Sequence, residues 1–260
     1  MKRSPACPDR RSAPTTIAEA ASCPVVLREH WERNAANWAA WATTPDFDSY
    51  WSYSTTFFDL IPPPGTRTLE VGCGEGRVSR DLAARGHDVV GLDSSPTLIH
   101  LARQTAPAIA FVIGDAAALP FPDRSFDTVV YYNSLMDFDN MDAGVDEGAR
   151  VLQVGGSFCA SVTHPFQDAG KFVDTTPESA FLVDENYLEH RRPIDAPVDR
   201  DGRHMHFKGW AYPLEAYSRA LERNGLVITA LREPGAPPEI VASDPANVRW
   251  QRMPLFAMWR

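Results

Sequence analysis

The chain has 260 residues, a net charge of −9 at neutral pH and a hydrophobic content of 44%. That suits one α/β domain with insertions, while an acidic surface disfavours long phosphate backbones, so no nucleic-acid partner is expected. No apolar run reaches the length of a membrane span, no apolar stretch follows Lys2, Arg3, Arg10 and Arg11 as a signal would require, and the four cysteines form no C-x-x-C pair, which reads as a reduced, cytoplasmic protein.

Residues 1–24, rich in Pro, Ser, Ala and Thr, read as a weakly ordered arm. Residues 25–64 read as an N-terminal helical and aromatic lid segment. A helix is expected over 28–43, with Trp31, Ala35, Trp38 and Ala39 on one face. An aromatic stretch from Pro45 to Tyr53 leads into Phe57 and Phe58, and Ile61-Pro62-Pro63-Pro64-Gly65 is a stiff break. Residues 65–260 then alternate. Strands are expected at 67–71, 88–92, 109–113, 126–132 and 157–163. Helices are expected at 75–85, closed by Gly86, at 96–104, and at 141–152, capped by Asp139 or Asn140. Residues 165–212 are too long for a plain connection and read as a cap insertion. A helix from Pro213 to about 223 and strands at 226–231 and 254–260 complete the chain. Strand–helix alternation implies an α/β, doubly wound Rossmann-like sheet with helices on both faces.

The chemistry concentrates at Leu69-Glu70-Val71-Gly72-Cys73-Gly74-Glu75-Gly76-Arg77. A buried strand enters a glycine turn, and the helix that follows points free N–H groups at a ligand. The spacing is G-x-G-x-G, and Arg77 stands where the dinucleotide fingerprint has its third glycine. Glu70, Asp93 and Asp115 all fall at strand ends, which converge on one crevice. Asp93 lies at the distance expected of a ribose-binding carboxylate; the competing reading is a helix cap made with Ser94 and Ser95.

Two further stretches accompany the loop: Gly114-Asp115-Ala116-Ala117-Ala118-Leu119-Pro120-Phe121-Pro122-Asp123-Arg124-Ser125-Phe126-Asp127, and Ala149-Arg150-Val151-Leu152-Gln153-Val154-Gly155-Gly156. Together they resemble the class I S-adenosylmethionine (SAM) methyltransferases of the type 11 family. Gln153-Val154 departs from the usual Lys-Pro on a surface turn. The resemblance covers residues 67–163 densely and 213–231 loosely. It implies a seven-stranded, mostly parallel sheet with an antiparallel last strand, and SAM as cofactor. By the same resemblance Glu70, Gly72 and Gly74 would hold the methionine part. Asp93, with Ser94 beside it, would take the ribose; Asp115 and the Ala116 N–H the adenine; and Asn133 the methionine amino group and sulfonium. Glu75 and Arg77 read as helix-start residues.

For the acceptor, Trp38, Tyr50 and Tyr53 are expected to line a low-polarity pocket, while Trp31 and Phe57 read as core. His164, at the end of the fifth strand, is the first candidate for a general base and Tyr132 the second; a satisfied strand-end histidine is the competing reading. No metal is expected. His204-x-His206 reads as surface or cap packing, and Asp137, Asp139 and Asp142 as a solvated loop capping the next helix. His30, His87 and His100 read as surface positions. The expected function is SAM-dependent methyl transfer to a small, largely apolar metabolite, in the style of bacterial specialised metabolism. A SAM-binding protein without methyl transfer and an NAD-dependent oxidoreductase are the alternatives. Homo-oligomerisation stays open.

Overall fold

The computed structural model describes residues 26–260, so the expected arm at 1–24 lies outside the described residues. Two helices come first, α1 (Val26–Ala42) and α2 (Tyr50–Phe58). The sequence reading has only an aromatic stretch where α2 forms. Tyr50, Tyr53, Phe57 and Phe58 recur at helical spacing and are buried together, which fixes the helix. It ends ahead of Pro62-Pro63-Pro64, three residues without an amide donor.

The alternating region follows: β1 (Thr68–Val71), α3 (Arg77–Ala84), β2 (Val89–Asp93), α4 (Pro96–Thr105), β3 (Ala110–Ile113) and β4 (Phe126–Tyr132). Next come α5 (Met141–Val151) and β5 (Leu152–Thr163). The cap insertion folds as two hairpins, β6 (Gly170–Phe172) with β7 (Phe181–Val183), and β8 (Arg192–Arg200) with β9 (Arg203–Ala211). The chain then runs through α6 (Leu214–Glu222), β10 (Leu231–Arg232), α7 (Pro238–Ser243) and β11 (Phe256–Trp259).

Seven strands make one sheet in the order β10-β11-β5-β4-β1-β2-β3, with β11 antiparallel to both neighbours and the remaining pairs parallel. This is the expected doubly wound architecture. The order reverses between β1 and β4, so their carboxyl ends open the crevice in which such sheets bind ligands. Three details differ from expectation. The strand expected at 226–231 is reduced to Leu231–Arg232, although Thr229 and Ala230 already donate their amides to the Arg260 carbonyl. The fifth strand starts at Leu152 and carries a register shift, with Gly155 at φ 80° inside it. And α7 with the 3₁₀ turn Pro245–Gln251 fills a stretch for which no element is expected.

Strand alternation divides the core. From β4, Val129 and Tyr131 pack with Val145, Ala216 and Trp259 under α5 and α6, while Val130 and Tyr132 pack with Tyr53, Phe57 and Leu82 under α2 and α3. The connection carrying Asp115 is stapled to α5 by Arg150. Its guanidinium donates to Glu147 (2.7 Å), Asp123 (2.7 Å) and the carbonyls of Phe121 (2.9 Å) and Leu119 (3.0 Å). Arg150→Met should therefore lower unfolding stability by about 1–3 kcal/mol, the scale of lost charge-assisted hydrogen bonds, read as a shifted urea midpoint.

Candidate active site

The glycine turn is built by sterics and by one neighbouring carbonyl. Leu92 accepts the amides of Gly72 (2.7 Å) and Cys73 (2.9 Å), which brings the turn against the end of β2. Gly72 has φ 76°, and a Cβ there would stand 2.5 Å from the Ser134 Cβ, so no side chain fits. Ser134 in turn donates to the Val71 carbonyl (2.8 Å), tying the ends of β1 and β4 together.

Asp93 does two jobs. Its Oδ2 accepts the Gly74 amide (2.8 Å) and its Oδ1 the Ser95 amide (2.8 Å). Ser95 then caps α4 through the Leu98 amide (3.1 Å) and donates to Glu32 of α1. Ribose carboxylate and cap organiser, set against each other as alternatives by the sequence, are thus compatible at one residue. Glu70 accepts the Ser79 hydroxyl and is buried; burial first, then the charges of Glu75 and Asp93, pushes its carboxyl up to about 8.

Arg77 is more than a helix-start residue. It forms an ion pair with Asp48 (2.7 Å), donates to the Ala42 carbonyl (3.2 Å) and lies over the rings of Tyr50 (4.4 Å) and Trp38 (5.2 Å). It fastens the N-terminal segment over the glycine turn. The available signal was its place in the missing-glycine position.

Between turn, lid and cap lies a cavity of about 700 Å³, within the usual size of ligand clefts. The candidate cofactor residues Glu70, Gly72, Gly74, Asp93, Ser94, Asp115, Ala116 and Asn133 all line it, as do Tyr132 and Trp38. Asn133 sits at φ 50°, and its side chain accepts the Ser161 hydroxyl (2.7 Å). Asp115 accepts the Ala117 amide (2.9 Å), which sets the turn carrying Ala116.

Three candidates stand elsewhere. Tyr50 is buried in the core and donates its hydroxyl to Asp81. Tyr53 packs on Phe256 at 5.2 Å in the same core. His164 is buried outside the cavity lining; its Nε2 pairs with Glu233 (2.9 Å) and its Nδ1 accepts the Phe166 amide (3.2 Å), so both ring nitrogens are engaged.

Several expectations are corrected. Asn140, one of the two expected caps, does cap α5, accepting the Ala143 amide (3.1 Å), but the acids around it are not a free solvated loop: Asp142 pairs with Arg223 (2.8 Å). Asp137 turns inward and lines the cavity with Asp168, Trp31, Phe207 and Trp210, all missed by sequence reasoning. His30 and His87 are buried: His30 Nε2 bonds the His206 carbonyl (2.7 Å) and His87 Nδ1 the Thr68 hydroxyl (2.9 Å).

Residues 69–160 match the family model described as a methyltransferase domain. A demethylmenaquinone methyltransferase of Beutenbergia cavernae is 42% identical over 93 residues, 36% of this chain and 39% of that protein. A fatty-acid O-methyltransferase of Mycolicibacterium smegmatis is 39% identical over 108 residues, 40% of this chain and 39% of that protein. The solved SAM-dependent methyltransferase of Mesorhizobium loti shares the fold, with a TM-score of 0.65 at 22% identity over 82% of this chain and 97% of its own. Residues 69–160 thus match a methyltransferase domain, and the sheet around them has the fold of a SAM-dependent methyltransferase. The matches span about two fifths of the length of these curated relatives.

The cavity fits SAM by its chemistry. The donor set at the strand ends is carboxylate and amide oxygen, suited to hydroxyls, an ammonium and a sulfonium. The Tyr132 hydroxyl lies on this wall, buried and with no partner among the described residues. Glu70 supplies a test. Its folded value of about 8 exceeds the unfolded carboxylate value of about 4.3. Between the two, the folded chain keeps a proton that the unfolded chain has lost, so ligand-free stability should fall as pH rises from about 5 to 8. A cationic ligand expels that proton, so SAM affinity should rise across the same window. Calorimetry and urea unfolding at several pH values check both slopes, and Glu70→Gln should flatten them.

Proposed function

We propose that this chain transfers the methyl group of SAM to a small, largely apolar acceptor. The observation that carries the reading is the continuity of one cavity, from the carboxylates beside the glycine turn to aromatic walls supplied by α1 and β9. SAM, when bound, supplies an electrophilic methyl group on a sulfonium. In this reading Asp93 and Ser94 hold the ribose, Asp115 and the Ala116 amide hold the adenine, and Glu70 and Asn133 hold the methionine end. Trp38 and Phe207, whose rings meet edge-on at 6.4 Å, close the volume beyond, excluding water and aligning the acceptor. The relatives are named for demethylmenaquinone and fatty-acid methylation, both apolar acceptors, and this supports an apolar class here.

Tyr132 acts as a neutral phenol in this scheme, because burial pushes its hydroxyl above the ordinary range. His164 takes no part. His164→Ala should leave turnover within about threefold, whereas loss of a general base costs about 10²–10⁴-fold.

Calorimetry with SAM and with NAD, followed by transfer of labelled methyl to a panel of small acceptors, tests the proposal. Asp93→Ala should weaken SAM binding by roughly 10–150-fold, the equivalent of about 1.5–3 kcal/mol for hydrogen bonds to a charged group. NAD binding without SAM binding would overturn the reading. SAM binding with no transfer to any acceptor would favour a non-methylating SAM-binding protein.

A further inference from the structure

The cavity holds a carboxylate, Asp137, that the fold does not use. Asp137 lines the cavity, and its side chain has no hydrogen-bond or ion-pair partner among the described residues. Burial first, then the charges of Asp93 and Asp168, pushes its carboxyl well above the usual range. Half-buried and open to the cavity, the carboxylate is free to receive a ligand.

The surroundings narrow the ligand. Gly209 of β9 passes directly over Asp137: a Cβ there would stand 2.9 Å from its Oδ1. The missing side chain lets the cap strand close on the carboxylate without displacing it. Asp168, on the same lining, accepts the Thr163 hydroxyl (2.9 Å) and adds a second negative charge. The cations of the lining are engaged or peripheral. Lys208 pairs with Asp195 (2.8 Å), Arg77 pairs with Asp48 (2.7 Å), and Arg28 is exposed. Trp31, Phe207 and Trp210 supply aromatic surface on this lining, and Trp210 already carries the Arg191 guanidinium at 3.9 Å. Carboxylate and aromatic surface together select a cation that also has apolar bulk.

We propose that the acceptor is an amine with an apolar body, its nitrogen received by Asp137 beside Asp168 and its body by Trp31, Phe207 and Trp210. This rests on the methyltransferase reading and names the acceptor class for it: the bound ammonium passes one proton to the Asp137 carboxylate, the freed lone pair takes the methyl group as the carbon–sulfur bond breaks, and S-adenosylhomocysteine is the leaving group.

The test is binding, not turnover. Protein saturated with S-adenosylhomocysteine, and separately the ligand-free protein, is titrated with 2-phenylethylamine and with its neutral isostere 2-phenylethanol, read by calorimetry and by tryptophan fluorescence. The amine should bind at least tenfold more tightly. Asp137→Asn should bring it down to the alcohol, while S-adenosylhomocysteine affinity, the control for folding, changes less than threefold. Gly209→Ala keeps the carboxylate but crowds it, and should reduce the preference as well. An amine that binds no better than the alcohol, or not at all, overturns the proposal, as does a preference that survives Asp137→Asn. A loss confined to SAM binding overturns it too, because Asp137 would then serve the sulfonium. Failure of the wild type to bind either SAM or S-adenosylhomocysteine sinks the methyltransferase reading instead, and the amine preference is then decided on the ligand-free protein alone.

Discussion

The carboxylate of Asp93 is the joint through which the candidate site is assembled. One oxygen fixes the Gly74 amide in the glycine turn and the other fixes the Ser95 amide ahead of α4. Ser95 passes the linkage on, capping α4 and donating to Glu32 on α1. Turn, second strand, fourth helix and lid are thus connected by one acid and one serine. Removing a carboxylate from water is unfavourable, and burial does push Asp93 above its ordinary range, but three backbone amides, of Gly74, Ser94 and Ser95, oppose that shift. The hydrogen bonds that make the group tolerable inside the protein also shape the pocket around it.

A second tie, through Arg77, holds the other end of the lid. Its partners come from the end of α1, the following loop and α2, so residues distant in sequence converge on the first turn of α3. The lid also meets the cap hairpin. His30 bonds the His206 carbonyl, and the ring of Trp41 meets Phe207 edge-on at 5.7 Å. These contacts combine a few directional polar bonds with aromatic packing. Opening the cavity at this seam would break a small number of hydrogen bonds while leaving the sheet core intact, consistent with the low local stability typical of binding elements.

What the sequence made legible follows the range of the forces involved. The glycine turn, the alternating strands and the carboxylates that line the cavity are readable because each rests on neighbours a few residues away: a positive φ, a period of two, an acid at a strand end. Asp137 was not. Aspartate is a good helix cap, and a cap begins three residues later, at Asn140, so the local pattern suited the wrong role. The residue that passes over its carboxylate is Gly209, on a strand of the insertion far along the chain. His164 lies outside the cavity lining for a related reason. It does end a strand at the crevice side, but Glu233, beyond β10, claims its ring. Arg77 looked like a helix-start residue because its partner Asp48 lies in the lid. The α2 helix is hard to read because five aromatics in nine residues fit a buried strand or a loop as readily as a helix.

The distribution of charge also separates binding from acceptor choice. In the proposed complex the carboxylates beside the glycine turn would face ribose hydroxyls and an ammonium that loss of the methyl group leaves unchanged, so they would contribute affinity rather than discrimination. Asp137 is different because it faces the acceptor. An amine gives up a proton to free its lone pair and becomes positive again on taking the methyl group, so a carboxylate beside it is paired with the nitrogen in both the substrate and the product complex. An oxygen acceptor ends neutral, and the same carboxylate would be left beneath Gly209 without a partner, at the cost of an unsatisfied polar group. Discrimination between nitrogen and oxygen acceptors would then arise from penalising the wrong ligand as much as from attracting the right one. That is the economical place to put it, since the aromatic surface around Asp137 accepts any apolar body of suitable size.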